Sequence, residues 1–292
     1  MKFPVEHVYS CECEIGEAPL WVPEENCLYW TDTESSSVWC QNLGSGAVIR
    51  WRLSLPVTSL LRREAQGFIL VTKTGLAFWD REKNDCELIA NPLAGKNHLS
   101  FNDGAVDRQG RLIAGTMNHV EYSPPHGCLY RLDGNLTVNL IEQGLSVANG
   151  IGFSPEGTTL YVSEQFQGRI LAYDYDTKEG AVSNRRIFAS LPSEEGLPDG
   201  ITVDSEGFVW NCHWGGGRVT RYTPEGRRDL QIELPVAVTA CLAFAGEALS
   251  DLYITTGWYG MNRDDRKKKP GAGDLFRIKT EFKGLCEPRF KG

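Results

Sequence analysis

Short apolar runs recur along the chain, each bounded by Gly, Pro, Asp or Glu, and they group into a larger unit. The unit is an apolar strand, a tight turn, a second strand and often a third segment in which basic and aromatic residues alternate. Three copies are plain: NGIGFSPEGTTLYVSEQFQGRILAYDYD from Asn149, DGITVDSEGFVWNCHWGGGRVTRYTPEG from Asp199, and NDGAVDRQGRLIAGTM from Asn102, continued by GCLYRLDG around Cys128. Fainter copies begin at Glu17, Thr58 and Thr239. The six starts are spaced by 41, 44, 47, 50 and 40 residues, the period of a four-stranded propeller blade. Helical solenoids share that period, so strand chemistry has to decide. Segments such as 160–163 and 219–222 are short, rich in β-branched or aromatic residues and bounded by turn formers, while no window holds a helical apolar period for ten residues. The pattern predicts an all-β chain, a six-bladed β-propeller with four-stranded blades, and the 31 glycines suit its many tight turns.

A propeller has to close its ring. The last unit offers three strands, TACLAFA, DLYITTG and GDLFRIK, so VEHVYSC (residues 5–11) is predicted to supply the outer fourth. No Pro/Gly/Ser-rich linker interrupts the repeats, and residues 1–292 are expected to form one domain.

Composition narrows the partners. The 41% hydrophobic content is ample for a core. A net charge of −8 argues against nucleic acid, whose phosphates call for a basic field. The basic run from Arg263 to Lys269 is interrupted by Asp264 and Asp265 and is expected to be a solvated loop. No apolar stretch approaches the roughly 20 residues of a membrane span, and MKFPVEHVYS lacks the apolar segment of a signal peptide, so no membrane contact and a cytoplasmic location are expected. A monomer or weak oligomer is the expected state. The nine cysteines, with no CxxC pair, are expected to be reduced. Cys11 and Cys13 lack a matching Cys/His pair and are expected to be structural.

Candidate chemistry follows from blade position. Residues just before the innermost strands of a propeller converge on one mouth of the channel. Glu17, Asn102, Asp103, Asn149 and Asp199 meet that description, and all but Glu17 sit at Asn-Gly or Asp-Gly steps expected at a junction of loop and strand. A single such step is ordinarily a turn; recurrence at one blade position is what marks these. Glu17, Asn149 and Asp199 together offer hard oxygen donors for one divalent metal ion, Ca²⁺, Mg²⁺ or Mn²⁺, with Zn²⁺ admissible through the carboxylates. Three protein ligands leave positions open for water or substrate, as catalytic sites do. The sequence has no GxSxG elbow, no phosphate loop and no dinucleotide fingerprint. His213 is read as lying just after a strand in a structural role, Gly215–Gly217 as a turn, and the tryptophans, Trp21, Trp210 and Trp214 among them, as packing between blades.

These motifs taken together, IGEAPLW (15–21), FNDGAVDRQGR with AGTM (101–117), ANGIGFSPEG (148–157), LPDGITVDSEG (197–207) and WGGGRV (214–219), resemble the gluconolactonase and regucalcin family of six-bladed propellers. The resemblance implies metal-dependent hydrolysis of a sugar lactone to the aldonic acid, with Glu17, Asn149 and Asp199 as metal ligands. It also implies Asp199 as general base and Asn102 as a metal-water or substrate contact. Two positions depart from the family pattern: Ser100 stands where Arg is common before FNDG, and Val120 where an acidic residue is common after GTM. Both positions usually touch substrate hydroxyls, and His98, His119 or Glu121 are candidate replacements. The alternatives are a non-catalytic metal-binding or interaction propeller, and an esterase of broader range resembling the paraoxonase type.

Overall fold

The computed structural model describes residues 3–292. After β1 (Val5–Tyr9), the chain lays down blade one as β2 (Gly16–Val22), β3 (Cys27–Asp32), β4 (Ser37–Asn42) and β5 (Val48–Arg52). Blade two is β6 (Val57–Arg62), β7 (Phe68–Thr72), β8 (Gly75–Asp80) and β9 (Asp85–Ala90). Blade three is β10 (Leu99–Val106), β11 (Leu112–Asn118), β12 (Gly127–Leu132) and β13 (Val138–Leu145). Blade four is β14 (Ala148–Phe153), β15 (Thr159–Glu164), β16 (Arg169–Tyr175) and β17 (Val182–Ser190). Blade five is β18 (Leu197–Val203), β19 (Val209–Trp214), β20 (Arg218–Tyr222) and β21 (Arg228–Glu233). Blade six takes β22 (Val238–Ala245), β23 (Asp251–Gly257) and β24 (Leu275–Lys279), and its outer strand is β1. The chain is a six-bladed propeller of four-stranded antiparallel sheets. Val5 pairs with Ile278 and Tyr9 with Leu275, so the N-terminal strand closes the ring as its sequence predicts.

Burial follows blade position. The first and second strands of each blade are covered by neighbouring blades and are largely buried, as in CLYWTD of β3 and FILVT of β7, every residue of which is buried. The outer strands meet water and turn polar, as in DCELIA of β9. Between the first two strands, an Asp often ties the turn: Asp107 Oδ1 accepts from the N–H groups of Gln109 and Arg111, and Asp204 Oδ1 from those of Glu206 and Phe208. Gly110 and Gly207 take the positive φ these turns need, 84° and 85°.

The segment expected as a solvated loop holds the single α-helix among the described residues, α1 (Arg263–Lys268). It is solvated but helical. Asn262 Oδ1 caps it by accepting from Asp264 and Asp265 N–H at 2.9 and 3.0 Å, and its acidic start and basic end suit the helix dipole. No helix is long and apolar enough to cross a membrane among the described residues. All nine cysteines are free thiols, and Cys11 Sγ lies 3.2 Å from the Gly273 carbonyl it donates to.

Each inner strand carries a β-bulge at the same height. The ladder shifts register between Glu17 and Leu20, Val57 and Ser59, Phe101 and Gly104, Asn149 and Ile151, Pro198 and Ile201, and Thr239 and Leu242. Bulges re-aim side chains, and six of them at one level form a ring around the channel. The C-terminal segment crosses the opposite face, where the hairpins between first and second strands lie. Ser205 N–H donates to Lys283 O, Phe290 N–H to Arg62 O, and Lys291 N–H to Gly110 O, at 2.7, 2.8 and 2.9 Å. Phe290 is fully buried there.

Candidate active site

The bulge ring sets the floor of a pocket of about 610 Å³ that opens on the face away from the C-terminal segment. Glu17 from β2, Thr58 from β6, Asn102 from β10, Asn149 from β14 and Asp199 from β18 all line it. They belong to the interior of the inner strands, not to a junction of loop and strand as the Asn-Gly and Asp-Gly steps suggest. The glycines serve a different purpose. At Gly150, φ is +31° and a Cβ would collide with the Asp199 carbonyl oxygen; at Gly200, a Cβ would meet Cys241. Neighbouring inner strands approach closely because those positions have no side chain.

Asp199 is fully buried. Its backbone carbonyl is pinned by Ser163 Oγ at 2.6 Å and Asn211 Nδ2 at 2.9 Å. Its Oδ1 accepts from Asn149 Nδ2, whereas its Oδ2 is buried with no partner among the described residues. Asn149 in turn accepts from Gly150 N–H through Oδ1 at 3.0 Å. Burial drives the Asp199 carboxyl well above the ordinary carboxylate range, and the charges of Glu17 and Asp103 add to the shift. Glu17 is pushed up to about 8, first by burial and then by Asp103, with the Ala18 N–H and the Cys241 thiol acting in the other direction. Burial and mutual repulsion thus raise both carboxyls of the pocket floor.

Asn102 and Asp103, adjacent in sequence, part company at the β10 bulge. Asn102 faces the pocket, its Nδ2 3.5 Å from the Ala148 carbonyl. Asp103 faces the narrow channel beneath, where Oδ1 accepts from Gly104 N–H at 2.7 Å and Oδ2 from Ile151 N–H at 3.2 Å; burial raises it to about 6.

Ser100 lines the pocket, buried, with its hydroxyl unpartnered. His119 lines the mouth. His98, Val120 and Glu121 are exposed and are not among the lining residues; the N–H groups of Val120 and Glu121 donate to Asn118 Oδ1 in a local turn, and Val120 is 68% exposed. His213 is inside β19, not after it, and fully buried: Nδ1 donates to the Glu195 carbonyl at 3.0 Å, Nε2 has no partner, and burial lowers it to about 4. Trp30 and Trp210 pack in the interior, while Trp214 lines the pocket mouth, where its ring meets Tyr259 of blade six.

The rim is the part that repeat reading leaves out. Each blade contributes a residue beyond or at the end of its second strand: Glu34, Lys73, Tyr122, Phe166 and Tyr259 from the connection to the third strand, and Trp214 as the last residue of β19. A signal was available, since each residue follows the second apolar run of its repeat.

Could the floor hold a metal? No group of three or more His, Cys, Asp or Glu side chains gathers in a metal-holding arrangement among the described residues. The donors are two carboxylates and an amide, hard oxygen chemistry suited to a divalent cation. The unpartnered Asp199 Oδ2 and the repulsion between Asp199 and Glu17 fit such an ion. Asn149 would join them through oxygen with its amide turned over, exchanging its contact with Gly150.

Residues 15–258 match the family described as SMP-30/Gluconolactonase/LRE-like region. The chain is 31% identical to regucalcin of Xenopus laevis over 99% of its own length and 98% of that protein. It is 32% identical to the pentonolactonase of Haloferax volcanii, covering 98% and 97% of the two chains. Among solved structures, the calcium-binding protein regucalcin of Agrobacterium tumefaciens superposes with a TM-score of 0.94 at 26% identity, over 99% of this chain and 98% of that one.

Proposed function

The chain belongs to the SMP-30/gluconolactonase/LRE-like family, and from that premise we propose that it is a metal-dependent lactonase whose catalytic floor is Glu17, Asn149 and Asp199. It hydrolyses the ester bond of a lactone, a sugar lactone by its kinship with the pentonolactonase. The observation that carries the metal half is the buried, unpartnered Asp199 Oδ2, on a carboxyl that also feels the charge of Glu17: an uncompensated pair of buried carboxylates is costly without a cation.

A divalent cation held by Glu17, Asn149 and Asp199 would polarise the lactone carbonyl and make a nearby water more acidic. Asp199, anchored through its backbone by Ser163 and Asn211, would hold the cation with one carboxylate oxygen and offer the other to a proton. That oxygen takes the proton of the attacking water as the new C–O bond forms, and returns it to the ring oxygen as the ester C–O bond breaks. Asn102, which lines the pocket, would donate a hydrogen bond to the substrate, and the buried, unpartnered Ser100 hydroxyl would offer a second contact on the wall. Burial keeps bulk water from competing for these groups.

Acid release from a panel of aldonolactones, with Ca²⁺, Mg²⁺, Mn²⁺ or Zn²⁺ added singly to metal-stripped protein, tests the reading. Turnover that requires metal and is lost on EDTA addition is the expected result. Metal uptake without turnover of any lactone would leave a binding platform in place of an enzyme.

A further inference from the structure

The rim is divided in two. On blades one and two it is polar, and Lys73 Nζ pairs with Glu34 Oε1 at 2.8 Å. On blades three to six it is aromatic. Tyr122 and Phe166 stack with centroids 5.1 Å apart and planes 11° from parallel, and Trp214 and Tyr259 form a second, tilted pair at 6.2 Å.

These rings are exposed where exposure has a cost. Among the described residues nine large apolar side chains stand in water, and four of them, Ile49, Leu88, Leu140 and Ile187, lie on the outer strands, where each blade meets solvent. Three others, Tyr122, Phe166 and Tyr259, at 37%, 40% and 46% exposure, line this one pocket. Clustered exposed aromatics at the mouth of a cavity mark a binding surface. Below them Ile15, Leu93, Leu99 and Met117 add apolar lining, and the charged lining residues above the floor are the Glu34–Lys73 pair and Lys96. A cavity of about 610 Å³ also falls within the roughly 300–1,000 Å³ that enclose drug-sized ligands, more than a single small lactone ring fills.

We propose that the substrate is a lactone bearing an apolar, aromatic arm: the ring lies on the Glu17, Asn149 and Asp199 floor and the arm lies against the Tyr122–Phe166 and Trp214–Tyr259 pairs. This rests on the lactonase reading and adds the chemistry of the half of the pocket that the reaction does not use. The reaction is unchanged: water adds to the carbonyl carbon, the ring C–O bond breaks, and the arm stays attached to the hydroxy acid released. The arm contributes binding only, so its effect should be seen mainly in KM.

A matched series isolates the arm. Xylono-1,4-lactone is compared with its 5-O-benzyl ether, its 5-O-glucosyl derivative and its 5-phosphate, the ring and ester bond being the same in all four. The benzyl ether should show kcat/KM at least about tenfold above the parent, within the roughly 10–200-fold that an apolar increment in a pocket provides. In the double variant Tyr122→Ser, Phe166→Ser that ratio should fall towards one, whereas Tyr122→Phe, which keeps the ring, should retain it. Preference for the parent, for the sugar arm, or for the phosphate, which would point to Lys96 at the rim, overturns the aromatic assignment while leaving the lactonase standing. So does a ratio that survives loss of both rings. Turnover of none of the four with any metal overturns both.

Discussion

At the scale of single residues, the floor of the pocket is held in a costly state. Asp199 buries a carboxylate oxygen with no partner beside a second carboxylate, Glu17. Such a group stabilises nothing until a cation arrives. Asp199→Asn should therefore raise the stability of metal-free protein by about 1–3 kcal/mol, read as a higher urea midpoint in EDTA, while lowering lactone turnover about 10²–10⁴-fold, the range for a lost general base. A variant less stable than its parent in EDTA would show that the carboxylate is already satisfied. His213 makes a separate statement about pH. Its folded-state value of about 4 lies below the ordinary 6.5 because burial takes the charged ring out of water, and its Nε2 has no acceptor there. The unfolded chain binds the proton more readily, so stability is present above about 6.5 and is lost as pH falls through the folded value, by on the order of 3 kcal/mol from this residue alone. Urea midpoints followed from pH 7 to 4 should fall, and His213→Gln should flatten that fall.

At the scale of elements, the inner-strand bulge is the device that makes the site. A regular strand would send alternate residues to opposite faces of the blade; the bulge between Phe101 and Gly104 turns Asn102 to the pocket and Asp103 to the channel below it. Gly150 and Gly200 let neighbouring bulges approach closely enough for Asn149 to reach Asp199. Outside the ring, β1 is the clearest single element to test. Val5, Val8 and Tyr9 pack against the blade-six and blade-one clusters, and β1 covers the free edge of β24. Deletion of residues 1–12 should cost about 2–4 kcal/mol in lost apolar burial and expose a pairing edge. A thermal transition unchanged in temperature, without aggregation, would mean that the ring closes without β1.

At the scale of the whole molecule, the two faces of the ring have different tasks. One carries the pocket and its rim, built from residues of six blades that the ring alone brings together. The other is crossed by the C-terminal segment, which spans from the blade-five hairpin at Ser205 to blades two and three, where Phe290 is fully buried among Val71, Leu132 and their neighbours. This strap ties blades that are distant around the ring and resists its opening. Phe290→Ala should cost about 3–5 kcal/mol, seen in the unfolding midpoint, with the KM for lactone nearly as before because the pocket lies on the other face. A shift in KM as large as the shift in stability would mean that the strap also shapes the site.

The sequence by itself determined the period, and with it the number of blades, the closure by the N-terminal strand and the common height of Glu17, Asn102, Asn149 and Asp199. These follow from local patterning repeated six times, since the alternation of apolar run and turn is set within each unit and needs no partner. Three things needed the tertiary structure. The direction of each side chain at a bulge depends on the register of the ladder, so adjacent residues such as Asn102 and Asp103 can part without any change of pattern. The aromatic rim, Trp214 included, gathers residues of four blades, and their nearness exists only once the ring has closed. Val120 and Glu121 fall outside the pocket lining because an Asn118-centred turn directs that loop outward, a choice made by hydrogen bonds that spacing along the chain does not reveal, and His98, on the loop before β10, lies outside it as well.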